Sequence, residues 1–259
     1  MSERAKGEAT HGRHRRILLL GGTGDSRALA ERLAGRDDVE IITSLAGRTE
    51  QPATLPGGLR IGGFGGVEAL ADYLARERID LVVDATHPFA ARITDNAEAA
   101  CRLRGTPRLL VERPPWQEVA GDRWIRVPDA EAAADALPGL AERVFLSVGR
   151  QEVEAFSALP RLWFLVRMID APRGALPLHR YEVVLGRGPF DKNGERALFL
   201  LHGIQAVVTK NSGGEATYAK IAVARALGLP VVMIERPVQR VGETAASVDE
   251  ALRWIEARL

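Results

Sequence analysis

One pattern recurs along this chain and decides most of what it can fold into. A short, continuous apolar run is followed by a loop of glycines, hydroxyls and charges, and then by an amphipathic stretch. ILLL runs into GGTGDSR, IDLVVD into ATHP, and AVVT into KNSGG. An uninterrupted apolar run suits a strand covered on both faces, and alternation with helices is the mark of a parallel sheet. The pattern predicts strands at 17–20, 39–43, 59–66 (ending in a glycine turn), 79–84 and 106–111. After the break ERPPWQE at 112–118, with its two prolines, it predicts strands at 144–148, 162–168, 181–185, 206–209 and 230–235. The first helix has Asp25 or Ser26 as N-cap, Leu29 and Leu33 on one face, and Gly35 at its end. Others are expected at 67–77, from Pro88 with Phe89, Ile93, Ala97 and Cys101 on one stripe, and at 151–159, 193–202, 214–227 and 248–259. The expected fold is α/β: two Rossmann-like three-layer domains with mostly parallel sheets and a cleft between them. Their expected limits are a flexible tail over 1–15, a cofactor domain over 16–113 and a second domain over 114–259.

Composition narrows the function. In 259 residues, 35 lysines and arginines balance 34 acids, so nothing in the net charge calls for nucleic acid or a membrane. The single cysteine, Cys101, forms no internal disulfide, and five histidines without ligand spacing give no reason to expect a metal. No apolar run is long enough for a membrane span, and the polar, basic start has no signal-peptide core. A cytoplasmic location is expected.

In open parallel sheets, ligands bind beyond the carboxyl ends of the strands, and here those ends collect most of the chain's polar character. Gly22, Thr23, Gly24, Asp25, Ser26 and Arg27 form a turn into a helix, where backbone N–H groups suit phosphate; a plain tight turn is the alternative. Arg27 stands where a dinucleotide fingerprint has its third glycine. The next strand ends in Thr43 and Ser44 with Arg48 beyond and no acid before Glu50. Hydroxyls and an arginine favour a 2′-phosphate, hence NADPH over NADH. Gly63, within GGFGG, suggests another close approach of backbone to ligand. Thr86 and His87 in DATHP stand at a strand end, with His87 either structural or a proton donor or substrate contact. In the second half, Lys210, Asn211, Ser212 and Gly213 form an anion-site candidate. Arg150 ends a strand, and Arg167 sits in an apolar one, where it needs a partner or a ligand. These cations argue for an acidic substrate. His87 and Lys210 are the candidate catalytic groups.

Several chemistries lack their motif. There is no G-x-x-x-x-G-K-[ST], no G-x-S-x-G elbow and no H-E-x-x-H; Tyr218-Ala-Lys220 has the wrong spacing for Y-x-x-x-K.

Taken together, LLLGGTGDSRALAERL, VVDATHPFAARITDNA, LVRMIDAP and AVVTKNSGGEATYAKIAVARALGLPVVMIERP resemble the precorrin-6A reductases of corrin (vitamin B12) biosynthesis. The resemblance runs from about Ile17 to Pro237. It implies a two-domain α/β enzyme that uses NADPH to reduce one double bond of precorrin-6A, giving precorrin-6B. It also implies that Gly22, Thr23, Gly24 and Arg27 hold the pyrophosphate and that Thr43, Ser44 and Arg48 meet the 2′-phosphate. Thr86 and His87 would lie near the reacting centre, and Lys210, Asn211 and Ser212 near the substrate carboxylates. The implied partners are the tetrapyrrole and neighbouring enzymes of the corrin pathway. The alternatives are an NADPH-sensing module without turnover, or a reductase of cobalt-precorrin-6A or another polycarboxylate.

Overall fold

The protein is described by a computed structural model covering residues 14–47, 55–237 and 242–259; the expected tail falls almost wholly outside them. The first half runs β1 (Arg15–Leu20), α1 (Gly24–Leu33), β2 (Val39–Leu45), β3 (Gly58–Ile61), α2 (Val67–Arg76), β4 (Leu81–Asp84), α3 (Ala91–Arg104) and β5 (Arg108–Val111). It continues through β6 (Trp124–Val127), α4 (Ala130–Asp135), β7 (Arg143–Ser147), a 3-10 helix (Arg150–Phe156), β8 (Trp163–Met168) and β9 (Tyr181–Leu185). The chain ends with α5 (Lys192–Leu201), β10 (Ala206–Lys210), α6 (Ala219–Ala226), β11 (Val231–Ile234), β12 (Glu243–Ala245) and α7 (Val248–Glu256).

Two six-stranded sheets result, ordered β12-β5-β4-β1-β2-β3 and β6-β11-β10-β7-β8-β9. Every pairing in both is parallel. In the first sheet, odd positions of β1 (Ile17, Leu19) pack under α1 and α7, and even positions (Leu18, Leu20) under α2 and α3. That two-sided burial is why ILLL carries no polar residue. The second sheet repeats the arrangement, with α4 and the 3-10 helix on one face and α5 and α6 on the other.

The two units have the same plan, but the second is built from the unbroken run β6–β11, whereas the first takes its sixth strand, β12, from the end of the chain. The strand after β5 does not join β5; it crosses to lie beside β11, and the strand after β11 crosses back to lie beside β5. The expected second domain over 114–259 is therefore corrected at its end: β12 and α7 belong to the first sheet. The cause lies in the apolar face of α7. Ala251, Leu252 and Ile255 are buried with Leu29, Leu33 and Leu109, and each large side chain so buried contributes roughly 1.5–3 kcal/mol.

Three helices differ from expectation. The helix expected from Pro88 starts at Ala91, because the Ala90 N–H donates to the His87 carbonyl at 2.7 Å and the Phe89 N–H to His87 Nδ1 at 3.2 Å. Phe89 thereby leaves the Ile93–Ala97–Cys101 stripe and packs on the core of the second sheet. The stretch expected at 151–159 is a 3-10 helix, and the helix expected from Gly214 begins at Ala219. Among the described residues, no helix is long and apolar enough to cross a membrane.

Candidate functional site

The glycine loop after β1 is held by its own side chains. The helix α1 is N-capped by Thr23 rather than Asp25 or Ser26: Thr23 Oγ1 accepts from the Ser26 N–H, as in a capping box. The Ser26 hydroxyl accepts from the amides of Gly22 and Thr23, both at 3.1 Å, and donates to the Thr23 carbonyl. Thr23 Oγ1 also donates to the Ala85 carbonyl at 2.7 Å, tying this loop to the one after β4. Thr23 and Ser26, expected at the cofactor, thus spend their side chains on the loop's shape. Gly24 does not: it has an ordinary helical φ, and a Cβ there would meet nothing within 4 Å. No atom of the described residues explains its missing side chain, and room at a helix N-terminus is what a phosphate group needs. Arg27 is half-buried, with no side-chain partner among the described residues.

At the neighbouring strand end, Thr43 is fully buried and its hydroxyl has no partner among the described residues; its Cγ2 lies 3.3 Å from where a Cβ on Gly21 would sit. It packs behind the loop instead of facing a ligand. Ser44 accepts a hydrogen bond from Arg60, which also donates to the carbonyls of Gly62 and Gly63. Gly63, like Gly24, has open space where a side chain would stand. Arg48 lies outside the described residues.

After β4, Asp84 is fully buried and its Oδ1 accepts from both the N–H and the hydroxyl of Thr86, at 3.2 and 2.7 Å. Thr86 is thereby turned into the loop, where it positions its neighbour. That neighbour, His87, accepts the Phe89 N–H at Nδ1, so in the neutral ring Nε2 carries the proton. Burial pushes the imidazole down from 6.5 to about 3, reinforced by the charges of Lys210, Arg113, Arg236 and Lys220. His87 belongs to the first sheet; Lys210, Lys220 and Arg236 belong to the second. The loops at the carboxyl ends of the two sheets therefore meet here, and Lys210 Nζ lies 5.0 Å from the Phe89 ring centre.

The second sheet's loops serve less uniformly than expected. Lys210 faces His87 but is paired with Glu152. Asn211, 1% exposed, accepts from the Trp116 N–H at 2.8 Å and donates to the Trp116 carbonyl at 3.2 Å. It fastens the first crossing segment to the loop and offers a ligand nothing. Ser212 gives its carbonyl to Arg113 Nε at 2.9 Å. A Cβ on Gly213 would lie 2.1 Å from the Pro114 carbonyl, so this glycine answers to chain packing, not to an anion. Arg150 is exposed at the rim, reaching only the Ala171 carbonyl at 3.4 Å. Arg167 has its partner: a bidentate pair with Glu195 on α5, at 2.7 and 2.9 Å, between the rings of Phe145 and Phe190. Arg167 thus spends its fork on Glu195, within the second unit, rather than on a substrate carboxylate.

Two arginines were missed, although the sequence carries a sign of them. β5 and β11 are both followed by Glu-Arg-Pro, at 112–114 and 235–237. Those triplets open the two crossings between sheets, and the structure clasps them together. Arg236 Nη1 donates to the Arg113 carbonyl at 2.8 Å, and Arg236 lies 3.5 Å from Glu112. Arg113 also pairs with Asp25 at 2.7 Å, linking the glycine loop to the Ser212 carbonyl across the crossing.

Residues 16–256 match the family model described as Precorrin-6x reductase CbiJ/CobK. A precorrin-6A reductase of Rhodococcus erythropolis is 49% identical over 241 residues, covering 93% of this chain and 97% of the relative. One from Rhodobacter capsulatus is 46% identical over 240 residues, covering 93% and 95%. A solved structure titled CobK precorrin-6A reductase superposes with a TM-score of 0.90 at 45% identity, covering 94% of this chain and 97% of that one. In sequence and in three-dimensional shape alike, the chain belongs to the precorrin-6x reductase family.

Proposed function

We propose that this protein reduces one double bond of precorrin-6A to give precorrin-6B, with NADPH as the reductant. The observation that carries the reading is the pairing of opposites at the meeting loops. On one side stands a helix N-terminus with unexplained room at Gly24; on the other, a neutral imidazole set among Lys210, Arg113 and Arg236. Gly22, Gly24 and the first amides of α1 would hold the pyrophosphate, with Arg27 adding charge. NADPH, when bound, supplies a hydride. Everything else falls to the chain. The cations answer the acetate and propionate carboxylates of the macrocycle. His87 offers Nε2–H as a fixed hydrogen-bond donor, and the loops of both sheets orient the ring. Because His87 is neutral at ordinary pH, it holds no spare proton before substrate arrives. His87, Lys210 and water are the candidate sources of the proton that completes the reduction.

The test mixes purified protein, precorrin-6A and NADPH and follows absorbance against a protein-free control. A change in the tetrapyrrole spectrum with stoichiometric loss of NADPH is expected. If neither the metal-free nor the cobalt-bearing macrocycle changes while NADPH stays bound, the reductase reading is wrong.

A further inference from the structure

Arg60 has no part in the expectations drawn from sequence, yet its surroundings are built as if for a ligand. It stands in register with Ser44 across the β2–β3 ladder. Its Nη1 donates to Ser44 Oγ at 3.3 Å and to the Gly62 carbonyl, and its Nη2 donates to the Gly63 carbonyl at 2.9 Å. The guanidinium carbon lies 3.7 Å from the Phe64 ring centre and 5.3 Å from that of Tyr73. Carbonyls along one edge and a ring against one face fix the group in place.

Other arginines of this chain show what such a fork ordinarily does. Arg16 and Arg36 each close on one carboxylate with Nε and Nη2 together. Arg60 pairs with no acid among the described residues, and its bonds leave the Nε–H and one Nη2–H uncommitted. A half-buried, immobilised cation with two spare donors is a site prepared for an anion with two oxygens to offer. Its position says which anion. The Ser44 carbonyl accepts from the Gly21 N–H at 2.9 Å, so Arg60 stands one strand end away from the glycine loop. Ser44 Oγ accepts from Arg60, which leaves its own O–H free to donate.

We infer that Arg60, with Ser44, receives the 2′-phosphate of the adenosine ribose and thereby selects NADPH over NADH. The inference rests on the cofactor reading above and assigns its selectivity to a residue on β3.

The experiment measures the dissociation constants of 2′,5′-ADP and 5′-AMP, and of NADPH and NADH, for wild type, Arg60→Ala and Arg60→Lys. Wild type is expected to prefer the 2′-phosphorylated member of each pair. Arg60→Ala should weaken 2′,5′-ADP by roughly 10- to 100-fold and leave 5′-AMP unchanged, which also reports an intact fold. Arg60→Lys, keeping the charge without the fork, should fall between. Equal weakening of both adenylates would make Arg60 a support for the Gly62–Gly63 turn and overturn the assignment. An unaltered preference in Arg60→Ala would overturn it too while leaving the cofactor reading standing. A wild type that binds neither dinucleotide would remove both.

Discussion

His87 is the residue on which the two sheets' chemistry converges. Its neighbours are cations, and its own Nδ1 is taken by a backbone amide. Replacing it with alanine is expected to lower turnover about 10- to 100-fold, the worth of one hydrogen bond to a charged or developing-charge group, with NADPH affinity unchanged by titration. Unchanged turnover would reduce His87 to a loop-shaping residue. The same burial has a pH signature. In the unfolded chain the imidazole takes a proton near pH 6.5, whereas in the folded one it does so only near 3. The neutral group's contribution is therefore complete above about pH 6.5 and is lost as pH falls from there towards 3. Urea midpoints between pH 7 and 4 should fall more steeply for wild type than for His87→Ala; parallel curves would contradict the buried, neutral assignment. Much about this residue was legible in the string DATHP, where a strand's apolar run stops and a histidine stands at its carboxyl end. The pairing of Arg167 with Glu195 was not legible, because 28 residues separate them and only the packing of α5 on the sheet brings them together.

At the scale of elements, the buried central strands were the easiest to see, although the exposed β3 and β9 were also expected. Central strands such as β1, β4 and β10 announce themselves because both faces are covered and each carries a continuous apolar run, with polar residues only at its ends. The edge strands β6 and β12 were not seen. Trp124-Ile-Arg-Val carries a charge in four residues, and Glu-Thr-Ala has no apolar run at all; their place comes from ladder bonds to a neighbour that the local pattern does not name. The loop TKNSGG shows the opposite error. Its glycines read as an anion cradle, but the crossing segment presses against them, and Asn211 is the fastener. Asn211→Ala leaves the N–H and carbonyl of Trp116 buried without partners, at a cost of about 1–3 kcal/mol for each. Chemical denaturation should register that loss; a stability equal to wild type would return Asn211 to the ligand-binding set. The twin Glu-Arg-Pro triplets were present to be read, but a repeat of three residues acquires meaning only once both copies are found side by side.

The whole molecule depends on the return of β12 and α7 to the first sheet. A chain ending after Pro237 lacks β12 and α7, bares the edge of β5, and exposes the faces of Leu29, Leu33 and Leu109 that Leu252 and Ile255 cover. It is expected to lose more than roughly 4 kcal/mol and to aggregate through the open edge, as judged by denaturation and by size-exclusion chromatography. A monomeric, equally stable product would show the C-terminal segment to be an ornament. That return also constrains motion. Two bodies joined by one tether can swivel and drift apart; joined at two points, they keep one easy rotation, about the line through both. Here those points are the paired crossings that Arg113 and Arg236 clasp, beside the loops where His87 meets Lys210. The two sheets are thus pinned to each other twice, and both pins stand beside the chemistry.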